Sequence, residues 1–148
     1  MWSFLAFSGV RINEALHVTW ADVNFDKGQL QVRITKNGKA RWVPFNQSLR
    51  GLWEALRAAR PDEAPENPIM RVFECQKSID RAANLAGAKR MTHHDLCHLF
   101  ATRCIESGVD IPTVSRWLGH QDGGALCMKT YGHLRDEHSQ REAGKVLF

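Results

Sequence analysis

A chain of 148 residues is long enough for one domain with a sizeable core and too short for two ordinary domains. It has no run of eighteen apolar residues, and its opening segment, MWSFLAFSGVR, lacks the basic leader of a signal peptide. We therefore expect a soluble, cytoplasmic protein without a membrane partner. The four cysteines have no paired spacing, which argues against a disulfide framework.

The charge of the chain is mildly basic, with a formal net charge of +4 and a pI near 9.1. Thirteen of the twenty basic residues are arginine, whose planar fork suits bidentate contact with phosphate. This composition is compatible with a nucleic acid partner, although taken alone a solvated cationic surface is the more common explanation of it.

The first third of the chain predicts short helices followed by a small antiparallel sheet. A helix over residues 2–8 ends at Ser8-Gly9, and residues 11–19 carry apolar side chains near helical spacing. The period then changes to two, with Leu30, Val32 and Ile34 alternating with polar residues. Asn37-Gly38 predicts a hairpin turn, and residues 42–44 predict the returning strand.

The rest of the chain predicts helices separated by loops. Three prolines within residues 61–68 predict a loop. Thr92 and Asp95 form a capping-box pattern that opens a helix with Leu96, Leu99, Phe100 and Ile105 on its buried side. The predicted helices span residues 47–60, 76–86, 92–107, 112–118 and 128–131. The predicted fold class is mainly α with a small antiparallel β-sheet, an α+β domain.

The stretch HHDLCHLFAT at residues 93–102 raises the question of a metal site. One hypothesis makes zinc ligands of His93, His94, Cys97 and His98, with Cys104 as a further candidate. Structural zinc normally recruits ligands from two separated elements, and no second CxxC or HxxxH pair occurs in the chain. The spacing therefore argues against zinc.

Four stretches in order suggest a different explanation: SGVRINEAL at 8–16, TKNGKARWVPF at 35–45, HDLCH at 94–98, and LGH at 118–120 followed by KTYGHL. Together they resemble the catalytic domain of the tyrosine recombinase, or phage integrase, family. The resemblance implies site-specific recombination of double-stranded DNA, with integration or excision as the outcome. A tyrosine attacks a phosphodiester, giving a 3′-phosphotyrosyl link and a free 5′-hydroxyl, with no metal or cofactor and with the protein assembled as a tetramer on DNA.

The resemblance also assigns roles to individual residues. Arg11 would clamp the scissile phosphate, although an ion pair with Glu14 is an alternative role for it. Lys36 would protonate the leaving oxygen, with Lys39 on the same turn as its competitor. Tyr131, the only tyrosine in the chain, would be the nucleophile.

Three histidines complete the implied site. His94 and His120 would contact the phosphate and help the tyrosine lose its proton, because imidazole titrates near neutral pH. His98, four residues after His94, fits a supporting hydrogen-bonding role without a catalytic step.

Cys97 departs from the family's pattern, in which this position carries a second phosphate-binding arginine. A thiol is a weak donor, and a thiolate would place negative charge where positive charge is needed. We therefore expect weak or no activity. Arg103 lies about 240° further around the same helix and is poorly placed to substitute, while Arg90 requires the preceding loop to fold back.

The front of the chain also differs from the family, whose catalytic domain begins with more helix and follows a separate DNA-clamping domain. We expect residues 1–148 to be a single catalytic domain that is truncated at its N-terminus and lacks the core-binding domain.

Two alternatives from other functional classes remain. The helix ending at Gly108, the turn VDIP and the helix TVSRWLGH resemble a helix-turn-helix, so the chain is alternatively a non-catalytic DNA-binding module using Arg116. In the other, the chain is a regulatory partner of an intact recombinase, docking through its tail HSQREAGKVLF at 138–148.

Overall fold

The computed structural model describes residues 1–33, 38–73 and 75–132, which contain seven α-helices and one three-stranded antiparallel sheet. This architecture confirms the predicted fold class. None of the helices in these ranges is long and apolar enough to cross a membrane. The elements in chain order are α1 (Trp2–Ser8), α2 (Ile12–Ala15), β1 (Val23–Asn24), β2 (Gln29–Val32), β3 (Arg41–Pro44), α3 (Gln47–Ala59), α4 (Gln76–Leu85), α5 (His93–Glu106), α6 (Ile111–Leu118) and α7 (Ala125–Tyr131).

The register of the sheet follows from the alternation of side chains in β2. Leu30 and Val32 are buried, and Leu30 lies opposite Val43 of β3 on one side and Val23 of β1 on the other. A slip of one residue would turn these apolar side chains to solvent, so their burial fixes the pairing. Ile34 and Asn37, which were predicted to extend the strand and form the turn, lie outside the described residues.

Helix α3 packs against α1 through one apolar face. Leu49 and Trp53 on this face are fully buried. The Trp53 ring meets Phe4 edge-on at 4.8 Å between centroids and Trp20 at 6.5 Å. Asn46 caps the helix by accepting from the Leu49 amide at 2.8 Å and also donates to the Phe7 carbonyl at 2.6 Å. Phe4, Trp20, Leu49 and Trp53 belong to the larger of two buried hydrophobic clusters.

Helices α5, α6 and α7 enclose the second buried cluster, which includes Phe100, Ile105, Val114, Leu118 and Tyr131. The bounds of α5 agree with the predicted capping box and with the predicted end at Ser107-Gly108. The two clusters meet where α5 packs along α1.

Helix α2 is shorter than the helical spacing of residues 11–19 predicted, because it ends at Ala15. The following backbone pairs with the proline-rich loop instead of continuing the helix. The Val18 carbonyl accepts from the Ile69 amide at 2.9 Å, and the Trp20 amide donates to the Asn67 carbonyl at 3.4 Å. Tertiary hydrogen bonds override the local helical pattern here.

The prediction that Leu99 is buried is wrong, because its side chain is 43% exposed. The buried side of α5 runs from Leu96 through Phe100 and Ala101 to Ile105. At 100° per residue these positions cover one half of the helix, and Leu99 lies about 60° outside that half. Leu99 lines a shallow groove between α5 and the end of β3 instead.

The turn between α1 and α2 is seated tightly against α5 and α6. Gly9 has φ +66, and a Cβ there would lie 2.4 Å from Cδ1 of Phe100 and 2.9 Å from Cδ2 of Leu118. The neighbouring Val10 is fully buried. Only glycine fits both the left-handed backbone and the close approach, so the turn carries Arg11 directly against both helices.

Replacing Gly9 tests this seating. We expect Gly9→Ala to lower the free energy of unfolding by about 1–2 kcal/mol for the left-handed backbone and by roughly another 1–3 kcal/mol for overpacking against Phe100. Gly123→Ala is the matched control, since Gly123 has φ +65 but no atom within 4 Å of the added Cβ. Urea unfolding of the two variants measures the difference. Equal losses would contradict the close packing.

Candidate active site

Arg11 stands at the start of α2, where it is held by Glu14. The Arg11 amide donates to Oε2 of Glu14 at 2.9 Å, and Nη1 donates to Oε1 at 3.2 Å. Nη1 also donates to the Leu118 carbonyl at 3.0 Å. The predicted ion pair with Glu14 is present, but Glu14 is only 4% exposed, so the pair is a partly buried anchor and not a loose surface contact.

Helix α5 carries three of the candidate side chains on one face. Thr92 and Asp95 cap its first turn reciprocally: the Thr92 amide donates to Oδ2 of Asp95 at 2.7 Å, and the Asp95 amide donates to Oγ1 of Thr92 at 3.4 Å. Positions separated by three or four residues share a helix face, so His94, Cys97 and His98 point the same way. The rings of His94 and His98 meet edge-on at 4.5 Å.

His120 is positioned by the end of α6. Gly119 adopts the left-handed conformation with φ +75, and the His120 amide donates back to the Ser115 carbonyl at 3.0 Å. This is the Schellman arrangement, which turns the chain sharply after a helix. The His120 ring contacts the Cys127 sulfur of α7 through Nδ1 at 3.5 Å. The LGH motif therefore sets the direction of His120.

Tyr131 lies in the last turn of α7, and its side chain is largely buried. Its phenol oxygen is in hydrogen-bonding contact with Nδ1 of His98. Burial raises the pKa of Tyr131 to about 12, and the neighbouring Cys127 and Cys97 add to the rise. At neutral pH the phenol is therefore protonated, and it donates to Nδ1 when the imidazole carries its proton on Nε2.

A cavity of about 150 Å³ brings these side chains together. Of the six residues that the sequence pointed to, five line this cavity, and Lys36 lies outside the described residues. His98 also lines the cavity, although the sequence analysis gave it only a supporting hydrogen-bonding role. The polar lining side chains are Arg11, His94, Cys97, His98, His120, Thr130 and Tyr131.

The environment favours the neutral imidazole at His98 and at His120. Burial lowers the pKa of His98, and the neighbouring His94 lowers it further. Burial also lowers the pKa of His120, with the positive charge of Arg11 acting in the same direction. A neutral imidazole has a ring nitrogen that can accept a proton, and His98 is the imidazole that contacts the phenol.

Cys97 is the cavity residue for which the sequence resemblance implies an arginine. Burial raises the pKa of its thiol, so the group is neutral at neutral pH and adds no negative charge to the cavity. The sulfur lies 3.7 Å from the Val10 carbonyl, to which its weak donor is directed. Cys97 therefore contributes no positive charge to the cavity and no strong hydrogen bond.

Neither of the other arginines considered for this role lines the cavity. Arg103 pairs with Glu106 at 3.4 Å on its own helix, and Arg90 pairs with Asp80 of α4 at 3.3 Å. Both side chains are mostly exposed at positions set by these local partners.

Arg41 is the residue that sequence reasoning missed. It lies at the start of β3 with its side chain 9% exposed, and it donates to both carboxylate oxygens of Glu14 at 2.9 and 2.6 Å. Its Nε donates to the Trp117 carbonyl at 2.7 Å. The signal was strand alternation: Arg41 precedes the buried Val43 by two residues and therefore shares its inward face.

The zinc hypothesis finds no support in this geometry. His93 points away from His94, stacking on Trp2 with centroids 5.0 Å apart and contacting the Cys75 sulfur at 3.6 Å. In residues 1–33, 38–73 and 75–132, no group of three or more histidine, cysteine or acidic side chains is arranged to hold a metal ion.

A mainly helical domain with a small sheet, in which arginine, histidine and tyrosine meet at one cavity, defines the catalytic domain of a tyrosine recombinase. The profile of the phage integrase family matches residues 1–138, and the chain belongs to that family. The resemblance seen in the sequence motifs is thereby confirmed.

Similar proteins agree with this assignment. The tyrosine recombinase XerA of Pyrococcus furiosus is 31% identical over 125 residues, which cover 76% of this chain and 42% of the relative. The crystal structure of XerA recombinase superposes with a TM-score of 0.74 at 25% identity, covering 97% of this chain and 55% of that one. The XerH recombinase bound to palindromic difH substrate shares the fold, with a TM-score of 0.69 at 22% identity, covering 96% and 43%. The chain thus spans about half the length of these relatives.

The raised pKa of Tyr131 can be measured directly, because no other tyrosine contributes to the tyrosinate absorbance of this chain. We expect a midpoint of about 12 in the folded protein and of about 10 after unfolding in urea. Since the folded pKa is the higher one, the fold loses stability as pH rises from about 10 towards about 12. Circular dichroism verifies folding at each pH, and Tyr131→Phe supplies the blank. A folded midpoint equal to the unfolded one would contradict the buried environment.

Proposed function

We propose that this chain is the catalytic domain of a cytoplasmic site-specific recombinase, which integrates or excises DNA by cleaving and rejoining strands through a 3′-phosphotyrosyl intermediate. The observation that carries the proposal is the contact between the Tyr131 phenol and His98 inside a cavity that Arg11, His94 and His120 also line. Phosphoryl transfer requires a nucleophile, a proton acceptor and groups that stabilise the developing charge, and this set supplies all three.

The proposed reaction assigns one task to each group. The Tyr131 oxygen attacks phosphorus while its proton passes to the neutral ring of His98, and the bond from phosphorus to the 5′-oxygen breaks. Arg11, His94 and His120 contact the phosphate and stabilise the charge on its oxygens. Lys36 gives the leaving 5′-oxygen its proton, a role that rests on its place in the TKNGK motif. Reversal of these steps by a new 5′-hydroxyl rejoins the strand.

We further propose that Cys97 impairs this reaction. A neutral thiol directed at the Val10 carbonyl offers the phosphate neither charge nor a strong donor. Loss of a charge-stabilising arginine in phosphoryl transfer costs roughly 10³- to 10⁵-fold in rate. The other described members of the cavity line it together, so the proposed defect lies at position 97.

A basic hollow beside the cavity supports contact with DNA. It has a volume of about 370 Å³, and Lys39, Trp42, Arg116 and His120 line it. Trp42 is 46% exposed there. Cationic side chains at this position suit the phosphate backbone, whose contacts carry most sequence-independent affinity. His120 lines both the hollow and the cavity, so a strand lying in the hollow leads to Tyr131.

The altered position 97 also favours a second candidate function, a DNA-binding module without strand cleavage. Helices α5 and α6 pack together in the predicted helix-turn-helix order, and Arg116 on α6 is exposed. In this alternative the chain binds DNA or an intact recombinase assembly, which in this family is tetrameric, and forms no covalent link. The tail at 138–148, proposed for such docking, lies outside the described residues.

Restoring the arginine separates the two candidates. We expect Cys97→Arg to raise covalent attachment to supercoiled plasmid DNA by roughly 10³-fold or more over the unmodified chain. Adding Tyr131→Phe to Cys97→Arg should abolish attachment, because no other phenol is available. Denaturing gels measure the covalent adduct, and plasmid relaxation measures rejoining.

Cys104→Arg is the matched control, since Cys104 lies two turns further along the same helix and lines a different groove, not the cavity. It should leave attachment at the unmodified level. Attachment that survives Tyr131→Phe would refute the assigned nucleophile. DNA binding by Cys97→Arg without any adduct would favour the non-catalytic module.

A further inference from the structure

The carboxylate of Glu14 is shared between two arginines that approach it from different elements. Arg41 of β3 binds both of its oxygens, while Arg11 at the start of α2 binds it through its amide and Nη1. Burial alone would raise the pKa of Glu14, but the hydrogen bonds and charges of the two arginines outweigh burial and lower it. Glu14 is therefore ionised and satisfied by both partners at once.

The same two arginines also bind the end of α6. Arg41 Nε donates to the Trp117 carbonyl at 2.7 Å, and Arg11 Nη1 donates to the Leu118 carbonyl at 3.0 Å. These carbonyls lie in the last turn of α6, where the helix leaves acceptors without intrahelical partners and carries partial negative charge. The guanidinium groups satisfy both, which fixes the point from which Gly119 and His120 continue.

Gly119 shows how closely Arg41 packs against the end of α6. A Cβ at Gly119 would lie 3.0 Å from Nη1 of Arg41 and 3.2 Å from its Cδ and Cζ. The glycine in the LGH motif is thus required by its left-handed backbone and also by the guanidinium that lies against it. Arg41 itself lines the neighbouring basic hollow and not the cavity, so it does not touch a phosphate held there.

We propose that Arg41 is a positioning residue for anion binding at Arg11 and His120. By occupying both oxygens of Glu14, Arg41 prevents that carboxylate from drawing the whole Arg11 fork towards itself. Among the described residues, the side-chain hydrogen bonds of Arg11 use Nη1, which leaves Nη2 and Nε for an anion in the cavity. The inference rests on the proposed function for the identity of that anion, a phosphoryl group.

Orthovanadate, a phosphate analogue, is the probe, and its binding is measured by calorimetry and by the histidine ring signals in NMR. We expect Arg41→Gln to weaken orthovanadate binding by at least about tenfold, because unpaired Glu14 competes for Arg11. The double variant Glu14→Gln/Arg41→Gln should recover most of the affinity, since the competing charge is gone. The affinity of Arg41→Lys should lie between those of the unmodified chain and Arg41→Gln, because lysine keeps the charge but lacks the planar guanidinium.

Arg50→Gln is the matched control: it removes the same charge from an exposed pair with Glu54 on α3 and should stay within about twofold of the unmodified chain. A merely structural role for Arg41 predicts no recovery in the double variant, and that result would overturn the proposal. So would unchanged affinity in Arg41→Gln, or no orthovanadate binding by the unmodified chain.

Two features keep the test decisive. If Arg41→Gln does not fold, as judged by circular dichroism, Arg41→Lys and the double variant, which carries no unpaired buried charge, still decide the question. Orthovanadate binding is also independent of DNA cleavage. A covalent adduct from Cys97→Arg with no effect of Arg41→Gln defeats this inference alone, whereas an Arg41 effect without any adduct defeats only the proposed reaction.

Discussion

The buried carboxylate of Glu14 is the point on which the architecture of the site depends. A carboxylate that is 4% exposed is costly unless charged donors surround it, and its donors come from β3 and from the start of α2. The arginines that satisfy it also satisfy the end of α6. Glu14 and the two arginines thus connect β3, the start of α2 and the end of α6. The cavity lies beside this ionic cluster.

The candidate groups all stand at the ends of elements or on the exposed face of one helix. Arg11 immediately precedes α2, His120 follows α6 after one residue, and Tyr131 is the last residue of α7. Such positions combine a backbone fixed by capping and Schellman hydrogen bonds with side chains that are free to face a cavity. Arg11 and His120 therefore line the same cavity although they are more than a hundred positions apart in the chain.

The sequence allowed the fold class, most of the helices and two of the three strands to be predicted, because these follow from hydrophobic period and capping patterns. The predictions from the sequence were wrong where tertiary contacts determine the local structure. The segment after Ala15 pairs with a distant loop, and Leu99 falls just outside the buried half of its helix. The motifs named five of the cavity residues. They missed the contact of His98 with Tyr131, because 33 residues separate the two positions and no local pattern joins them.

Arg41 illustrates a different limit. Alternation placed it on the inward face of β3, but its partner Glu14 lies on a helix 27 positions earlier. A pairing of this kind is set by how the sheet packs against α2 and α6, which no periodicity records. Buried charges whose partners come from distant elements are therefore the features that a single sequence reveals least.

The cavity around Cys97 has a consequence for how the chain can change over generations. Space beside the thiol, the Val10 carbonyl and the anchored Arg11 are all present although position 97 carries no cationic side chain. Cysteine and arginine codons differ by a single base. Under the proposed function, a single base change at position 97 is therefore enough to gain or to lose the second phosphate-binding arginine.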